Sequence, residues 1–92
     1  MTKKESQIQN SGNPSEDFAL DNMLILHNDD FNTFEFVIEC LVTICEHDDL
    51  QAEQCAFLTH YKGKCEIKKG KFELLKAMKD TLVEKGLNVT IE

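Results

Sequence analysis

Along the 92-residue chain, apolar positions change period several times, and each change marks an element. Met23-Leu24-Ile25-Leu26 is a continuous apolar run of strand length that stops at a polar knuckle, Asn28-Asp29-Asp30, and it reads as the first and central strand. Beyond the knuckle, Phe34, Val37, Ile38, Leu41, Ile44 and Cys45 recur at intervals of three and four, the spacing of one helix face, as far as Glu46-His47. Asn32 followed three positions later by Glu35 predicts a capping box at the start of this helix. Asp48 with Gln51 supplies a second cap, for a helix from about Leu50 to Tyr61 that Gly63 ends. Cys65 and Ile67 then alternate with Glu66 and Lys68, the period of a half-buried strand closed by Gly70. A third helix carries Phe72, Leu75, Met78, Leu82 and Val83 and stops at Lys85-Gly86, and Leu87, Val89 and Ile91 alternate in a terminal strand. The order β-α-α-β-α-β predicts a two-layer α/β (α+β) sandwich, a three-stranded sheet covered by helices.

Residues 1–20 break this patterning. They are rich in Ser, Asn, Gln, Lys and Glu and hold the only proline, so the expected organisation is a flexible N-terminal tail followed by one core domain over 21–92. No apolar run approaches the roughly 20 residues of a membrane helix, and no apolar stretch follows Lys3-Lys4 as a secretory signal would require. The expected setting is the cytoplasm, without membrane association.

A formal net charge of -7 opposes duplex binding, which needs a basic stripe, so nucleic acid is not an expected partner. The lysines from Lys62 to Lys71 read as a solvated surface. Cys40, Cys45, Cys55 and Cys65 contain no Cys-x-x-Cys pair, which argues for small reduced core residues over a metal site. Neither a metal nor another cofactor is expected. A nucleophilic Cys55 or Cys65 paired with His60 is a weak alternative, because nothing marks an oxyanion hole or a third, orienting group.

The knuckle carries the chemistry. Asn28, Asp29 and Asp30 place an amide and two carboxylates beside an apolar helix face, a layout suited to a small cation that bears an apolar group. The same residues also suit a plain strand-to-helix turn, since Asn and Asp bond nearby backbone groups. On the second helix, Ala52, Ala56 and His60 lie four apart and share a face.

From about Leu24 to Glu92 the chain resembles the ClpS family, adaptors that hand proteins with destabilising N-terminal residues (N-degrons) to a Clp-type unfoldase. The resemblance rests on Asn28-Asp29-Asp30-Phe31, Glu35-Phe36-Val37-Ile38, His60-Tyr61-Lys62-Gly63-Lys64 and Val89-Thr90-Ile91-Glu92, in that order. It implies a non-catalytic, monomeric adaptor in which Asn28, Asp29, Asp30 and His60 bind the free α-amino group of the target. The target's first side chain would enter a pocket formed by Asn32, Phe34, Val37, Ala56, Thr59 and Leu87, with Asn32 at the lip. The implied partner is the N-terminal domain of a ClpA- or ClpC-type AAA+ unfoldase. A neutral imidazole at His60 accepts from an ammonium and a protonated one repels it, so binding is expected to weaken in acid. The chain departs from the usual family pattern at Asn32-Thr33-Phe34, where Thr-Pro-Met is common, at Ala56, where methionine is common, and in a contracted segment from Lys64 through the third helix. Phe34 narrows one wall of the implied pocket while Ala56 opens another, and residue types alone do not rank the two effects. The competing reading is a purely structural domain of the ribosomal-stalk type, with a similar fold and no amine pocket.

Overall fold

A computed structural model describes residues 21–92, and the expected N-terminal tail lies outside the described residues. The elements follow the expected order: β1 (Asn22–His27), α1 (Phe34–Ile44), α2 (Asp49–Lys62), β2 (Lys64–Gly70), α3 (Phe72–Glu84) and β3 (Asn88–Ile91). The sheet has the order β2-β1-β3 with both pairings antiparallel, so the most apolar strand is the central one. Leu24 faces Ile91 and Leu26 faces Val89 across the β1–β3 pair, which sets the apolar residues of both strands against the helices.

The core gathers Leu24, Leu26, Cys40, Leu41, Cys45, Ala52, Cys55, Ile67, Leu75, Leu82, Leu87 and Val89. Each helix contributes its stripe: Cys40, Leu41 and Cys45 from the end of α1, Ala52, Cys55, Ala56 and Thr59 from α2, and Leu75 and Leu82 from α3. All four cysteines are free thiols, three of them buried and Cys65 half-buried, as expected of small core residues. On α3 the expected stripe is narrower than the sequence suggests, because Phe72 and Val83 are about half exposed. Leu75, Met78 and Leu82 already fill the line facing the sheet; Phe72 stands in the first turn and Val83 is rotated about 100° from Leu82.

The cap of α1 is a correction to the sequence reading. Thr33, not Asn32, is the N-cap, and its hydroxyl accepts from the Phe36 N–H at 3.1 Å. The Asn32 side chain is instead held by the two hydrogen bonds its amide donates, to Asp29 and to the Gly86 carbonyl, which fix its orientation. Asp48 caps α2 as expected, accepting from the Gln51 N–H at 2.7 Å, and Gly63 ends that helix at φ 94, a backbone conformation only glycine adopts without strain.

Helix α1 is also shorter, and the junction to α2 longer, than the periodicity implies. Helix α1 stops at Ile44, and Glu46 takes a left-handed conformation (φ 63) that lets the His47 N–H donate to the Leu41 carbonyl at 3.1 Å. The His47 ring is buried, and its Nε2 donates to the Ile67 carbonyl at 2.7 Å. The pairing of β1 with β2 shifts between Leu24, opposite Lys68, and Ile25, opposite Glu66, so Ile67 is the extra residue of a β-bulge. His47 thus satisfies a carbonyl at the bulge and pins the start of α2 to the edge strand.

Candidate functional site

The site lies where β1 runs into α1. Asp29 organises the turn: its Oδ1 accepts from the N–H groups of Phe31 at 2.8 Å and Asn32 at 2.9 Å, and its Oδ2 accepts from the Asn32 side-chain amide at 2.9 Å. Burial, the largest single influence on this carboxyl, acts to raise its pKa; the bonds from the Asn32 backbone, the Asn32 side chain and Phe31 together outweigh it, and the pKa falls below the ordinary value. Asp29 is therefore a carboxylate at neutral pH. Two carboxylate oxygens offer about four lone-pair sites, so three accepted bonds leave acceptor capacity as well as charge.

Asn32 is the clamp of the site. The amide that bonds Asp29 also donates to the Gly86 carbonyl at 2.9 Å, tying the knuckle to the α3–β3 turn 54 positions later. Gly86 has φ 98, and its left-handed turn presents that carbonyl. Asn28 is fixed by its backbone, its N–H donating to the Gly63 carbonyl at 2.9 Å, so the end of α2 and the knuckle are held together.

Between them is a small cavity of about 50 Å³ lined by Leu26, His27, Asn28, Asp29, Asn32, Phe34, Val37, Ala56, Thr59 and His60. Its lining combines polar residues, Asn28, Asp29, Asn32 and His60, with apolar ones, Leu26, Val37 and Ala56. Ala56 and Thr59 are buried on α2, the Thr59 hydroxyl donating to the Cys55 carbonyl at 2.7 Å. Phe34 stands edge-on to the His60 ring, with centroids 5.9 Å apart and planes at 87°.

The structure therefore brings Asn28, Asp29, Asn32, Phe34, Val37, Ala56, Thr59 and His60 into one cavity. Two residues singled out from the sequence are placed otherwise. Asp30 is exposed on the turn and Leu87 is buried in the core, and neither lines the cavity. Leu26 and His27 line it without having been assigned to it. The apolar run marks Leu26 as core, which it also is, and the only signal for His27 was its place directly before Asn28; its Nε2 lies 2.8 Å from the Thr90 hydroxyl.

The cysteine alternative meets the opposite of activation. Burial, then a hydrogen bond with Cys55, pushes the Cys65 thiol up to about 12, which leaves almost no thiolate at neutral pH. Among the described residues no helix is long and apolar enough to cross a membrane.

Comparison with known proteins bears on the whole arrangement. The family model described as ATP-dependent Clp protease adaptor protein ClpS matches residues 21–90. A curated relative, the ATP-dependent Clp protease adapter protein ClpS of Edwardsiella ictaluri (strain 93-146), is 49% identical over 41 residues, which cover 45% of this chain and 39% of that protein's length. The solved structure of Agrobacterium tumefaciens ClpS2 bound to L-phenylalaninamide matches with a TM-score of 0.69 over 78% of this chain and 94% of that one. Sequence identity there is 22%, so this likeness speaks for the fold. A family model that covers every described element except the last residue of β3 shows the lineage: the chain belongs to the ClpS family of Clp protease adaptor proteins.

Proposed function

We propose that the cavity binds the free N-terminus of a protein whose first residue is hydrophobic, an N-degron, and that the chain delivers such proteins to a ClpA- or ClpC-type AAA+ unfoldase without performing chemistry itself. The observation that carries this reading is the pairing of a held carboxylate, Asp29, with an apolar recess in one cavity. An α-ammonium presents three donors, its pKa being about 7.7–8.0, and Asn28, Asp29 and His60 supply acceptors around it. The attached side chain fills the recess between Leu26, Val37 and Ala56.

Two or three charge-assisted hydrogen bonds at about 1.5–3 kcal/mol each, with about 1.5–3 kcal/mol from burying one side chain, give roughly 5–12 kcal/mol gross. The cost of association is then subtracted. Micromolar binding corresponds to about 8 kcal/mol, so the amine and the side chain are both needed. That requirement selects N-termini over internal leucines. Asp30, exposed beside the mouth, adds negative potential to the approach.

The relative's bound L-phenylalaninamide joins a free amine to an apolar side chain, the pairing proposed for this cavity, with a ring larger than the leucine-sized room left beside Phe34. Residues 1–20 serve in delivery and 21–92 in binding, in the cytoplasm. The test is fluorescence anisotropy with a Leu-first peptide, free and N-acetylated. The free peptide binds and the acetylated one does not; equal binding ends the amine-site reading. Deletion of residues 1–20 leaves peptide affinity intact and slows degradation by the reconstituted protease.

A further inference from the structure

Three aromatic rings stand exposed at the cavity, and two of them, Phe57 and Tyr61, are not used by a one-residue site. Phe34 is 38% exposed, Phe57 53% and Tyr61 68%. They form a continuous strip. The ring of Phe34, part of the cavity wall, meets Phe57 edge-on with centroids 6.4 Å apart, and Phe57 lies tilted against Tyr61 at 4.4 Å. His60 closes the group, edge-on to both Phe34 and Tyr61 with centroids at 5.9 and 5.2 Å. Phe57 and Tyr61 are four apart on α2 and so share one face, opposite the buried Cys55 and Ala56. Contiguous exposed aromatic surface of this kind marks a contact site, and here it is continuous with the mouth of the cavity.

We propose that this strip is a second subsite on the same protein, which takes the apolar or aromatic side chain of the third residue of the bound target. The proposal rests on the N-terminus reading given above. The register follows from chain geometry. A target leaving the cavity in extended form alternates its side chains between faces and advances about 3.3 Å per residue. Its second side chain then turns away from the surface. Its third returns to the face of the first, about 6.6 Å further on, towards the surface that Phe34 joins to the cavity mouth. The rings contact one another edge-on or tilted, so they are already ordered, and docking a side chain on them sacrifices little freedom.

The experiment uses the full chain and free-amine peptides of sequence Leu-Gly-X, with X as Phe, Leu or Ser, and a parallel set Leu-X-Gly. Phe at position three binds about three- to tenfold more tightly than Ser, the range expected of one well-placed aromatic contact. In Phe57→Ser and Tyr61→Ser the ratio collapses towards one. Both positions are exposed, and circular dichroism confirms that the variants fold. Equal affinity for all third residues in the native chain overturns the subsite, as does a preference confined to position two. Leu-Gly-Ser with a free and an acetylated amine reports on the cavity separately: discrimination between those two with no effect of X removes the strip alone, whereas no discrimination removes the cavity reading and the subsite with it.

Discussion

Phe34→Ala tests the dimensions of the cavity. A water-sized sphere needs about 10–15 Å³ of such space, so a cavity of about 50 Å³ holds roughly three to five of them. Leucine, with four side-chain carbons, is expected to fit that room, and phenylalanine, with seven, is expected not to. The Phe34 ring, held edge-on against Phe57 and His60, is the wall in the way. A side chain that enters gains about 1.5–3 kcal/mol from burial and one that stays outside forgoes it. At 1.4 kcal/mol per tenfold, a Leu-first peptide therefore binds the native chain about 10- to 150-fold more tightly than a Phe-first peptide. Phe34→Ala removes one benzene ring from the wall, the size of the group to be admitted. Affinity for the Phe-first peptide rises towards the native Leu value, while the Leu-first peptide, now lacking one wall, weakens by about fivefold, or about 1 kcal/mol. Phe34 is 38% exposed and outside the core cluster, so the substitution costs stability of only about 1 kcal/mol. The assay is anisotropy with the two peptides on both proteins. Equal or better binding of the Phe-first peptide by the native chain, or an unchanged Leu-to-Phe ratio in the variant, shows that Phe34 does not limit the cavity.

Asp29→Asn removes a carboxylate that accepts three hydrogen bonds and should cost about 1–2 kcal/mol of stability in denaturant melts, and at least tenfold in peptide affinity. Because the folded pKa of Asp29 is lowered, its stabilisation is complete above the unfolded carboxylate value and is lost as pH falls through the folded one. The stability gap between native and Asp29→Asn proteins is therefore constant at neutral pH and closes only below about pH 4. Glu46→Gly relieves a non-glycine residue at φ 63 and should raise stability by about 0.5–1 kcal/mol in the same melts. Leu24→Ala, at a fully buried position of the central strand, should lower it by about 2–5 kcal/mol. His60→Ala, by removing one acceptor from the lining, should weaken a Leu-first peptide by about tenfold and leave the melt almost unchanged, since His60 is exposed.

The apolar periodicity by itself determined the order of elements, the central place of β1 and most of the core, because burial imposes a period of two on strands and about 3.6 on helices wherever one face is dry. It also drew Asn28, Asp29 and His60 to notice, since polar residues next to an apolar face are conspicuous in sequence. What it left open were matters settled by partners far along the chain. Asn32 and Thr33 are both good N-caps by residue type; Thr33 takes the role, and the Asn32 amide instead bridges Asp29 and the Gly86 carbonyl, 54 positions away. The family resemblance makes Leu87 a pocket wall, and the packing of the domain places it in the core. His47 closes the α1 stripe in sequence, yet its ring is spent on the Ile67 carbonyl at a bulge that alternation does not reveal. The contest between Phe34 and Ala56 was likewise undecidable from residue sizes. A cavity is the space left when several elements meet, and only the positions of β1, α1 and α2 together decide that this one is narrow and that the aromatic strip begins at its edge.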